Sequence, residues 1–153
     1  MNDETIKITI PLAPITKKNS QQIYFNSKLK NGFYKPKFAG AGLSKFIYVG
    51  VPFVAPSEKF KQYERRAGVF LKGYKIPFNQ TPVNVQCLFY MPTRRRVDLT
   101  NLLEAIDDIL TNYGVIEDDD AAHIGGHDGS RVYYDKENPR TEIIIRPLDF
   151  GVG

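Results

Sequence analysis

The chain has 153 residues, 42% of them hydrophobic and 25% charged, a balance that fits one folded domain over 1–153 and excludes a disordered chain. A formal net charge of +4 admits nucleic acid, an acidic protein or an anionic membrane surface as a partner. Cys87 is the sole cysteine, so no internal disulfide forms, and no apolar run approaches the ~20 residues of a membrane span.

Residues 5–12 alternate apolar and polar side chains, the pattern of a half-buried strand, which Pro11 and Pro14 end. Residues 15–55 are expected to form a long loop with short strands, one of them Phe46-Ile47-Tyr48-Val49, stopped by Gly50. Ser57 reads as the N-cap of a helix running to about Lys72, with Gly73 as its stop and Phe60 and Phe70 facing inward. Residues 82–91 read as a strand holding Cys87 as a buried, inert thiol. A second helix is expected from Asp98 to about Asn112, residues 121–134 are partly extended, and residues 140–147 form a last strand. This order predicts an α+β fold, a mostly antiparallel or mixed sheet packed by two main helices.

Charge is unevenly distributed. Lys and Arg concentrate before residue 97, whereas residues 98–120 are strongly acidic. At ~100° per residue, Leu99, Leu102, Leu103, Ile106, Ile109 and Leu110 share one helix face, and Asn101, Glu104, Asp108 and Thr111 the opposite one. Asp98 sits at the helix start, where free N–H groups favour an anion. After a short turn comes Glu117-Asp118-Asp119-Asp120. Carboxylates this close repel one another, so they belong either to a solvated surface or around a hard divalent cation such as Mg²⁺ or Mn²⁺. Arg94-Arg95-Arg96 alone reads as a solubilising run. Set directly against the carboxylates, it reads as a phosphate grip beside a metal site, the juxtaposition that nuclease chemistry needs.

The stretch Asp98-Leu99-Thr100-Asn101-Leu102, followed by Ala105, Asp108 and Leu110, then Gly114-Val115 and Asp118-Asp119, resembles the core motif of the RusA family of Holliday-junction resolvases. The first strand with Lys18-Asn19 after it, and the closing strand Thr141–Ile145, are also similar to that family's pattern. The resemblance implies a homodimeric, Mg²⁺-dependent endonuclease, with Mn²⁺ as a possible substitute, that nicks four-way or branched DNA junctions in recombination and repair. The first residues carry no secretory signal pattern, so the chain is expected to be cytoplasmic, and the resemblance implies a bacterial source, often a prophage. Asp98 matches the first catalytic aspartate, and Asp119, with Asp118 beside it, the later pair.

Two positions depart from the motif. Thr100 stands where the family has a second aspartate, and Glu104 where it has a lysine. Either the site is rearranged, with Glu104, Asp120 or Asp128 as further ligands and Arg131 or Lys18 as the replacing cation, or the chain is a degenerate dimer that grips junctions without cutting them. Lys17, Lys18, Asn19, Arg94, Arg95, Arg96, Asn101 and Arg131 are the expected DNA contacts. A structural protein with a solvated acidic helix is the third reading. His123 and His127 have i, i+4 spacing, but Gly125-Gly126 between them argues against a helical zinc site. Residues 127–131 read as a turn whose Asp, Ser and Arg could approach a metal or a phosphate.

Overall fold

Alternation along the strand Val83–Met91 buries Val83, Val85, Cys87 and Phe89 on one side, which makes it the centre of the molecule. The computed structural model describes residues 5–17, 21–36, 46–77 and 82–148, so Lys18 and Asn19 lie outside the described residues. In chain order the elements are β1 (Ile6–Ile10), β2 (Gln21–Asn26), β3 (Phe33–Pro36), β4 (Phe46–Pro56), α1 (Glu58–Val69), β5 (Val83–Met91), α2 (Leu99–Asn112), β6 (Ile124–Gly126), β7 (Arg131–Tyr134) and β8 (Arg140–Pro147).

These elements form a five-stranded mixed sheet, a separate three-stranded sheet and two helices, an α+β fold. In the larger sheet β1 and β5 flank β8, both antiparallel to it. On its other side β5 pairs in parallel with β6 at its start and with β7 at its end. Ile8, Ile10, Thr141, Ile143 and Ile145 join the inward side chains of β5 on the core face. The helices cover that face: Phe60, Tyr63 and Ala67 from α1, and Leu102, Ala105, Ile106, Ile109 and Leu110 from α2. Each large side chain fully withdrawn from water contributes about 1.5–3 kcal/mol. Burial also pushes the Tyr63 hydroxyl up to about 12 and the Cys87 thiol well above its usual value, so Cys87 is inert as expected.

The apolar stripe of α2 is present, with Leu99 and Leu103 packed partly buried at its margin. The short strands expected within 15–55 are present as β2 and β3, which pair with β4 on its two sides. Two expectations need correction. β4 does not stop at Gly50 but runs eleven residues through it, because Gly50 takes φ +105° at a close approach to Asn26. α1 ends at Val69 rather than near Lys72, and Phe70 is 39% exposed at its C-cap rather than inward. Among the described residues no helix is long and apolar enough to cross a membrane.

Candidate active site

The acidic segment begins where the chain leaves β5. Asp98 is the N-cap of α2, in extended conformation, and its Oδ1 accepts the Thr100 N–H at 2.9 Å. Arg96, Val97, Asp98, Leu99 and Asn101 line an open pocket at the helix start. Arg94, Arg95 and Arg96 are exposed, and the Arg94 guanidinium lies 4.3 Å from the centre of the Tyr134 ring on β7. Thr100 and Glu104 are exposed on the first turns of α2.

Farther along α2 stand Asp107 and Asp108. A rise of 1.5 Å per residue puts them ~13–15 Å from Asp98 along the axis, too far for one cation to bind Asp98 together with either of them. Lys17, from the segment after β1, pairs with Asp108 at 3.1 Å. Asp107 turns toward the sheet, where its Oδ2 lies 2.8 Å from His127 Nε2. The other nitrogen of His127, Nδ1, donates to the Val85 carbonyl of β5 at 2.8 Å.

His127 is held there by a loop laced onto β5. The Asn84 amide exchanges two hydrogen bonds with the Asp128 backbone, Gln86 donates to Gly129 O, and Ser130 Oγ accepts the Cys87 N–H. Gly129 adopts φ +85°, and a Cβ there would sit 2.8 Å from the Gln86 amide, so the turn requires glycine. The turn expected over 127–131 is therefore present, with the Asp128 and Arg131 side chains exposed.

Burial raises the Asp107 carboxyl above the usual carboxylate range; the His127 contact opposes this, while the charges of Asp119 and Asp108 add to it. His127 is raised in turn, chiefly by its hydrogen bond to Asp107. Asp107 Oδ1 is buried and has no hydrogen-bond partner.

The acidic run after α2 divides into distinct roles. Asp118 Oδ1 accepts the Asp119 N–H at 2.7 Å. Asp120 Oδ1 lies 2.6 Å from His123 Nδ1, and Glu117 stands 3.6 Å from the other ring nitrogen. The Asp119 carboxylate has no hydrogen bond or ion pair among the described residues, and its charge reaches Asp107. Arg131 is exposed and gives one long hydrogen bond to Ser130 O.

Among the described residues no group of three or more His, Cys, Asp or Glu is placed to hold a metal ion. The donor chemistry nevertheless fits a hard divalent cation: Asp98, Asp119 and Asp128 offer exposed, hard carboxylate oxygens, whereas the orphaned buried oxygen belongs to Asp107, away from the start of α2. Mg²⁺ commonly takes one or two carboxylates and completes its shell with water and phosphate oxygens.

Sequence reasoning placed Asp107 in the acidic helix without a role, and read His127 as half of a rejected zinc pair and as the first residue of a turn. The signal that could have joined them was Asp107 itself, a carboxylate adjoining the apolar stripe and so turned partly inward. The family model described as Endodeoxyribonuclease RusA matches residues 46–146, from the start of β4 into β8. No curated protein matches the chain.

Proposed function

The chain belongs to the endodeoxyribonuclease RusA family, and on that footing we propose that it is a divalent-metal-dependent endonuclease that binds four-way or branched DNA and nicks its phosphodiester backbone as a homodimer. The observation that carries this reading is the open pocket at the start of α2, lined by Arg96, Asp98 and Asn101 within the motif that resembles the family's core. A backbone phosphate needs a cation for its charge, a donor for its oxygens and a carboxylate nearby to hold metal.

In this proposal Asp98 and Asp119 hold Mg²⁺, or Mn²⁺ in its place. Asp119 is favoured over its neighbours because Asp118 is turned to the backbone and Asp120 is engaged by His123. Glu104 and Asp128, both exposed, are the remaining carboxylates that could complete the set. The bound cation would polarise the phosphate and lower the pKa of a water molecule. Arg94, Arg95 and Arg96 grip the backbone, and Asn101 and Arg131 orient the flanking phosphates. Water adds to phosphorus, one P–O ester bond breaks, and the leaving oxygen takes a proton. Thr100, standing where the family has a second aspartate, leaves one ligand fewer at the helix start.

The test compares a labelled four-way junction with a linear duplex of the same arms, with Mg²⁺ or Mn²⁺, for the wild type and Asp98→Asn. Paired nicks in the junction alone, lost in the variant while binding persists, are expected. Junction binding with no cutting in either metal would replace this reading with that of a non-cutting junction binder.

A further inference from the structure

Half of the large apolar side chains exposed among the described residues, eight of sixteen, lie on the sheet β2-β4-β3. Register decides which of them share a face, because paired residues point to the same side and neighbours along a strand to opposite sides. Ile23 pairs with Val54 and Phe25 with Pro52. Phe33 pairs with Gly50, whereas Tyr34 pairs with Tyr48, so β4 carries an extra residue and changes face at this bulge. Lys35 then pairs with Ile47. One face therefore carries Ile23, Phe25, Phe33, Ile47, Pro52 and Val54.

This face is open. Ile23 is 67% exposed, Val54 64% and Phe33 61%. On the opposite face Lys61 of α1 lies over the Tyr24 ring, which is stacked on Phe53, while Phe53 and Tyr34 stay 48% and 65% exposed. β2 and β4 contain no charged residue, and Lys35 is the one charge in the register of the open face.

We propose that this face is the surface on which a second copy of the chain docks. The charge pattern selects the occupant. DNA is held through phosphates, which need cations, and an acidic partner needs them equally. A chain carrying a net +4 repels its own copy over much of its surface and least here, where an apolar patch whose register holds a single charge, Lys35, is its own complement under a two-fold axis. The area suits this use. Half-exposed aromatic and branched side chains present on the order of 100 Å² each, so two such faces together bury roughly 1,000 Å², the lower bound for a specific interface. Monomers seldom leave an apolar patch of this extent in water.

The inference rests on the homodimer of the proposed function, but its test reads assembly and not cutting. Sedimentation velocity of the full chain over a range of concentrations is compared for the wild type, Phe25→Glu/Val54→Glu, and Val132→Glu on the other sheet. Both sets of side chains are solvent-exposed, so the melting curve and circular dichroism should be retained. A wild-type dimer, an intact dimer in Val132→Glu and dimerisation weakened by on the order of 100-fold in the double variant are expected. A monomeric wild type overturns the inference, as does a dimer that survives the double variant. A dimer that does not cut DNA leaves this inference standing and removes the nuclease; a monomer that cuts does the reverse.

Discussion

His127 Nε2 and Asp107 Oδ2 meet at 2.8 Å, although twenty positions separate them in the chain. The Val85 carbonyl can only accept, so His127 Nδ1 carries a hydrogen. The Nε2···Oδ2 contact must then hold one proton, as imidazolium with carboxylate or as imidazole with carboxylic acid. Both pKa shifts point the same way, since the pair keeps its proton to higher pH than either group alone.

The first prediction follows from that shared proton. His127 is raised above 6.5, so its contribution to stability is complete below pH 6.5 and is lost as pH rises through its folded pKa. Asp107, also raised, acts in the same direction from 3.8 upward. Imidazole NMR titration should give His127 a midpoint above 6.5 that moves down in Asp107→Asn. His123, raised mainly by Asp120, should titrate unchanged in that variant and move down in Asp120→Asn.

Stability should depend on α2 far more than on any cap. Leu110 is fully buried, and Leu110→Ala should cost about 2–5 kcal/mol in urea unfolding. Ser57 Oγ accepts the Phe60 N–H, and Ser57→Ala should cost about 1 kcal/mol.

Gly50 is the hinge of the smaller sheet. A Cβ there would sit 2.1 Å from the Asn26 carbonyl oxygen, and φ is +105°. Gly50→Ala should break the β2–β4 pairing while the five-stranded sheet persists. Loss of amide protection confined to residues 21–36 and 46–56 would report it.

The basic surface should act through phosphate contacts. Arg94→Ala and Arg96→Ala should each weaken junction binding across all sequences and lower the slope of log K against log salt by about 1. Unchanged slopes would remove these arginines from the interface.

Most of the fold that positions this site was legible in the sequence, because it rests on local signals. The stripe Leu102–Leu110 specified α2, Asp98 and Ser57 marked the helix starts, and alternation specified β5 and β8. What was not legible depends on distant partners. Gly50 carries a stop signal in isolation, and only β2 and β3 on either side show why the strand continues through it. Phe70 reads as core by type, but the helix ends one residue before it. Asp107 finds His127 only because residues 127–130 are pinned along β5, and Lys17 reaches Asp108 across ninety-one positions. The roles within Asp118-Asp119-Asp120 were open for the same reason: His123 and the backbone engage two of the three.

The most direct test of the central claim is the cleavage rate of a four-way junction as Mg²⁺ is titrated, for the wild type and Asp119→Asn, with junction affinity measured in parallel. The account predicts no cutting without metal, saturable cutting with it, and a loss of on the order of 100-fold or more in Asp119→Asn at nearly unchanged affinity. Cutting that persists in a chelator, or an Asp119→Asn variant that cuts like the wild type, would contradict it.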